Sequence, residues 1–154
     1  MSWFGSLFDW QVFGVLAAKI TVAYLLALPI GWEREQQLHS TGVRTFPLVA
    51  MAACGYVLLA DTVAGGDAAA RSRIIQGLTT GIGFIGGGAI MRGRGNVHGT
   101  ATAASIWNTG VIGAAVAESR FEIAIILSLF NLITLRLLLP LKERADRAKH
   151  EASK

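Results

Sequence analysis

The sequence predicts an all-α protein, a polytopic membrane bundle of about five transmembrane helices, with the N-terminus outside and the C-terminus cytoplasmic. The first observation is compositional. The 154 residues are 53% hydrophobic and only 16% charged, and the mean hydropathy is +0.50, whereas a soluble domain carries about a quarter charged residues. The second is a long gap in the carboxylates: no Asp or Glu falls between Asp67 and Glu118. The third is the placement of Lys and Arg in alternate loops, which sets orientation.

A bilayer-spanning helix needs about twenty mostly apolar residues. Runs that meet this test cover Val12 to Trp32, Phe46 to Ala64, Ile74 to Met91, Thr102 to Ala117 and Phe121 to Leu139. The fourth is short, so a tilted or partly re-entrant helix is expected there. The membrane part is residues 1–141, and residues 142–154 form a short basic cytoplasmic tail lying along the headgroups. One set of alternate segments holds Arg34, Arg44, Arg92, Arg94, Lys142, Arg144, Arg147, Lys149 and Lys154, against Arg71, Arg73 and Arg120 in the other. The loops after helices one and three therefore face the cytoplasm. Residues 1–11 hold no Lys or Arg, and no small-residue cleavage site follows the first apolar run, so a removed signal peptide is not expected.

In the first helix, Lys19 is an ionisable group within the span. It either snorkels or makes a structural pair, or it belongs to a functional path. Arg136 in the fifth lies near the cytoplasmic end, where snorkelling is the expectation. Pro47 suits the first turn of the second helix, where its missing N–H costs nothing. Cys54, the single cysteine, rules out an intramolecular disulfide framework and a cysteine zinc site and reads as a packing residue.

The third helix carries Gly77, Gly81, Gly83, Gly86, Gly87 and Gly88. Helices in lipid associate through close packing of small residues, and the fourth helix offers Ala103, Ala104, Ser105, Gly110, Gly113 and Ala114 in return. A tight central hairpin is expected, with Trp107 and Asn108 in its second arm and an interhelical partner for the asparagine. The spacing Gly81-x-Gly83-x-x-Gly86 also matches a dinucleotide fingerprint. That motif needs a preceding strand and an acid about twenty residues on, and neither is present, so packing is the better account.

The pI of about 9.7 does not indicate nucleic acid, because the basic residues alternate with apolar spans. No Walker motif, metal-type histidine pair or nucleophile–base order points to an enzyme. His39, His98 and His150 read as solvated side chains.

The cytoplasmic ends are richer. Gly31-Trp-Glu-Arg-Glu35, Gly42-Val-Arg-Thr45 and the elbow Arg92-Gly-Arg-Gly-Asn96 fall on one side. They bring Glu33, Arg34, Glu35, Arg44, Thr45, Arg92 and Asn96 within reach of a single polar cluster. Charges at a membrane boundary are functional candidates, although a packing clasp of helix ends has the same appearance. Mg²⁺ takes one or two carboxylates plus waters. Glu33 and Glu35 are the metal candidates if any exist, in competition with adjacent arginines. No resident cofactor is indicated.

Three blocks together resemble the MgtC/SapB family of bacterial inner-membrane proteins. The Gly31–Glu35 and Gly42–Thr45 pair is similar to the family's G-L-E-R-E…G-L-R-T. Gly81-Ile-Gly83-Phe-Ile-Gly86-Gly-Gly88 is similar to its G-I-G-F-L-G-A-G, and Val97-His-Gly99-Thr-Ala-Thr102-Ala-Ala-Ser105-Ile-Trp107 to its V-x-G-L-T-T-A-A-x-x-W. The resemblance spans about residues 16–140. It departs where Ala70 and Gly77 stand at the Asp and Gln positions of D-x-x-R-x-x-x-Q, and where Thr100-Ala101 replaces Leu-Thr. Many members carry a C-terminal soluble domain, which is not expected here.

The resemblance implies a non-enzymatic, multi-pass inner-membrane regulator. Such a protein would be linked to magnesium homeostasis, to growth in low magnesium and to virulence through intracellular survival. It would work by contacts with itself, as a homodimer, or with a membrane complex such as the ATP synthase. A Mg²⁺ or other cation permease is the alternative. The glycine face of the third helix, if the fourth does not use it fully, is the expected docking surface.

Overall fold

The computed structural model describes residues 9–38, 42–93 and 96–137. Five helices follow in order: α1 (Trp10–Leu38), α2 (Thr45–Ala64), α3 (Ala68–Gly88), α4 (Thr100–Ala117) and α5 (Phe121–Leu137). The tail from residue 142, Arg94, His39 and the start of the chain lie outside the described residues.

α1 is 29 residues long, about 43 Å at 1.5 Å per residue. It outruns the expected span at both ends. Asp9 opens it by accepting from the backbone N–H groups of Gln11 (2.9 Å) and Val12 (3.2 Å), which satisfies amides left orphaned at a helix start. At the other end Glu33-Arg34-Glu35-Gln36-Gln37 are good helix formers, so the helix continues past the apolar run. The charged block therefore rides on rigid helix rather than on a loop.

α3 begins six residues before the expected Ile74, because Asp67 caps it through Ala69 (2.8 Å) and Ala70 (3.3 Å) and three alanines follow. It stops at Gly88, short of the expected Met91. The elbow is not an irregular turn: Met91–Gly93 (β1) and Asn96–His98 (β2) pair antiparallel, with Arg92 opposite Val97 and Gly93 opposite Asn96. Gly99 then turns the chain into α4 at φ +85. An added Cβ there would collide with the carbonyl of Ala89, so the hairpin closes back onto the end of α3.

The expected short fourth segment is the centre of the fold. α4 is a continuous helix of 18 residues that packs on all four of the others. Small residues make this possible: a side chain at Gly113 would strike the Ala50 carbonyl of α2. The core gathers Ala23, Ile30, Phe46, Ala50, Val57, Ile106, Ile112 and Val116. In contrast, α3 buries only Ile82 and Gly86 and leans on α2 and α4. Large apolar residues cover the outside, among them Val15, Leu25, Leu59, Phe84, Leu129 and Phe130, a pattern that in water would be a liability. Among the described residues, two helices, over Trp10–Gln36 and Thr45–Ala64, are long and apolar enough in themselves to cross a membrane.

A polar clasp at one end of the bundle

Consecutive helical residues point about 100° apart, and Glu33, Arg34 and Glu35 reach three different elements. Glu33 Oε2 accepts from Arg136 Nε of α5 at 2.7 Å. Arg34 Nη2 donates to Thr102 Oγ1 in the first turn of α4. Glu35 Oε2 accepts from the backbone N–H of Gly42 at 2.7 Å and of Val43 at 3.1 Å, holding the approach to α2. Glu33 and Arg34 are both buried.

The flanking glycines have a matching role. A Cβ on Gly31 would lie 2.7 Å from the Gly42 carbonyl oxygen and 3.2 Å from Val43 Cα, so only glycine lets the incoming loop touch α1. The blocks at 31–35 and 42–45 are thus two halves of one clasp joining α1, α2, α4 and α5. Thr45 is half-buried, while the Arg44 side chain is exposed and precedes α2 without capping it. Arg92 and Asn96 have their backbones in the β-hairpin; their side chains lie outside what the structure describes.

From the clasp a row of buried hydroxyls and amides runs inward along α4 and α5. Ser105 Oγ donates to Asn131 Oδ1 (2.9 Å), Thr109 Oγ1 to the Ser105 carbonyl (2.7 Å) and Ser128 Oγ to the Leu26 carbonyl of α1 (2.7 Å). Asn108 Nδ2 donates to the Leu127 carbonyl at 3.3 Å, which supplies the interhelical partner expected for it. At the far end Lys19 Nζ donates to the Ala117 carbonyl at 2.7 Å. It lies where the negative end of the α4 dipole favours a cation. Arg71 ties the start of α3 to Asp61 of α2 (2.5 Å) and to Glu118 at the end of α4.

Glu33 and Glu35 come to the same end of the bundle but are engaged with different partners. Among the described residues, no group of three or more His, Cys, Asp or Glu is placed to hold a metal ion. The clasp members Thr102 and Arg136, with Ser105, Ser128 and Asn131 beneath, were missed as site residues. A polar side chain interrupting an apolar run is the signal that finds them.

The six glycines of α3 divide. Gly86 meets α4, its would-be Cβ 3.2 Å from the Ala103 carbonyl oxygen, and Ile82 fills the space over Gly110. At these points α3 and α4 approach each other through a glycine, within a longer packing contact between the two helices. Gly77 and Gly81 line an apolar groove of about 900 Å³ between α2 and α3, walled by Leu48, Tyr56 and Phe84. A Cβ at Gly77, Gly81, Gly83, Gly87 or Gly88 would meet no atom of another element within 4 Å among the described residues. Trp107 is half exposed.

A sequence model of the MgtC family matches residues 20–144. The protein SrpB of Synechococcus elongatus is 35% identical over 133 residues, covering 78% of this chain and 72% of the relative. The protein MgtC of Brucella abortus is 32% identical over 132 residues, 86% of this chain and 55% of the relative. The "Putative magnesium transporter YhiD" of Escherichia coli K12 is 32% identical over 126 residues, 76% of this chain and 57% of the relative. The chain thus spans little more than half the length of the latter two. No solved structure matches.

Proposed function

We propose a function from the premise that the chain belongs to the MgtC family: it is a bacterial inner-membrane protein that serves magnesium homeostasis by contact with other membrane proteins. The magnesium link is supported by the relatives, among them one named as a magnesium transporter. In this reading all five helices span the bilayer, the N-terminus is outside, and the clasp faces the cytoplasm. No catalytic step is assigned to it.

The observation that carries a contact function is the open face of α3. In lipid, a glycine-lined helix face gains from a close-packed partner, and among the described residues Gly83 and Gly87 have none. The partner is another membrane helix, from a second copy or from a complex such as the ATP synthase, and low magnesium is the condition under which docking matters. The clasp then sets the frame on which α3 is presented.

Gly83→Leu and Gly87→Leu test this reading. Both positions have room for a side chain and leucine is a better helix former than glycine, so each variant folds and inserts. Each is expected to lose partner capture in membranes and growth support in low magnesium. Normal capture and growth in both variants would overturn the docking role.

The second reading is a Mg²⁺ or other cation permease, favoured by one feature, a buried carboxylate at Glu33 beside the row of polar groups between α1, α4 and α5. Against it, Glu33 and Glu35 are each engaged by donors, and a cation would have to displace Arg136 or the Gly42 amide.

A further inference from the structure

On the outside of the bundle, a cleft of about 260 Å³ lies between α4 and α5. Ala104, Ser105 and Asn108 form its α4 wall, and Phe130, Asn131 and Thr134 its α5 wall. Asn108 stands one helical turn from Ala104 and Ser105, and Thr134 one turn from Phe130 and Asn131, so each wall runs along one side of its helix. The mouth is apolar, with Ala104 and Phe130 exposed, while Ser105 and Asn131 at the floor are buried. Asn131 is 9% exposed. Its Oδ1 takes the Ser105 hydroxyl, and its Nδ2, also buried, has no hydrogen-bond partner among the described residues. An unsatisfied buried donor costs about 1–3 kcal/mol.

The missing partner is an oxygen acceptor that arrives with apolar surroundings. Depth narrows the choice. Asn131 is six residues from Leu137 and Ser105 five from Thr100, so both lie about 7–9 Å in from the clasp end of their helices at 1.5 Å per residue. That is just below the headgroup layer, which is about 5–7 Å thick on each side of the hydrocarbon, and it is where glycerol ester carbonyls lie. The volume also fits. At about 30 Å³ for a water-sized group, the cleft takes roughly nine such groups, an ester and its first methylenes rather than a helix.

We propose that this cleft is a phospholipid site. An ester carbonyl oxygen accepts from Asn131 Nδ2, and the adjoining acyl segment lies against Ala104 and Phe130. The site rests on the membrane reading above but not on docking through α3, which is a different face. Its occupant bridges α4 and α5 immediately beneath the Arg34–Thr102 and Glu33–Arg136 contacts, so it secures the clasp.

The test is native mass spectrometry of detergent-extracted full chain offered equal amounts of diester phosphatidylethanolamine and its diether analogue, which lacks the carbonyl. The wild type is expected to retain one diester lipid about three- to tenfold over the diether, the range one net hydrogen bond gives. Asn131→Leu is expected to abolish that preference, and Ala104→Phe to reduce retention of both lipids. Equal retention of the two lipids by wild type, which needs no variant to fold, would overturn the site. So would a preference that persists in Asn131→Leu, or dimers that carry no lipid because a second copy covers the cleft. A chain soluble without detergent would instead mark failure of the membrane reading itself.

Discussion

Arg136 Nε donates to Glu33 Oε2 at 2.7 Å, joining α5 to α1 across 103 positions of sequence. The two side chains differ in environment: Glu33 is 11% exposed and Arg136 61%. Removing one is therefore not equivalent to removing the other.

Arg136→Gln leaves a nearly buried carboxylate without that cation, whereas Glu33→Gln leaves an amide oxygen that still accepts from Arg136. Loss of the arginine is expected to cost about 1 kcal/mol more than neutralising the glutamate. In thermal unfolding of the detergent-solubilised protein this appears as a Tm about 2–4 °C lower for Arg136→Gln than for Glu33→Gln. Equal or reversed shifts would show that the different burial of the two side chains does not set the cost of losing either.

Glycines of the two blocks are expected to respond in opposite senses. Gly31→Ala pushes a methyl against the Gly42 carbonyl and is expected to destabilise by about 1–3 kcal/mol, as overpacking does. Gly83→Ala enters open space and replaces the poorer helix former, so it is expected to be neutral or to stabilise by up to about 1 kcal/mol. Paired thermal unfolding curves check the signs.

This contrast shows what was legible in the sequence. The existence of five helices was, because each apolar run is bounded, although the fourth is short. The place of the polar cluster was also legible, since Glu33, Arg34 and Glu35 stand where an apolar run ends. Partners were not: whether Glu33 faces α5 or α2 depends on the rotation of α1 against its neighbours, which no local pattern encodes. The density of glycine in α3 was plain, but not its direction, and only Gly86 proves to face α4. Strands of three residues, such as Met91–Gly93, are too short for alternation to register.

Lys19→Met keeps the apolar stem but removes the bond to the Ala117 carbonyl. Hydrogen bonds from charged donors contribute about 1.5–3 kcal/mol, and Lys19 is half-buried, so a loss near the lower end is expected. Hydrogen exchange is the readout, with faster exchange confined to the last turn of α4. Lys19→Arg, which retains a cation there, is expected to restore part of the protection. Uniform acceleration across the bundle would place Lys19 in global packing instead.

The central claim, contact rather than conduction, is tested most directly by Mg²⁺ entry into proteoliposomes that hold the purified, correctly inserted protein and a trapped Mg²⁺ dye. The account predicts no entry above that of protein-free vesicles, for wild type and Glu33→Gln alike. Wild-type uptake that Glu33→Gln abolishes in a folded protein would contradict it and make the clasp the mouth of a permease.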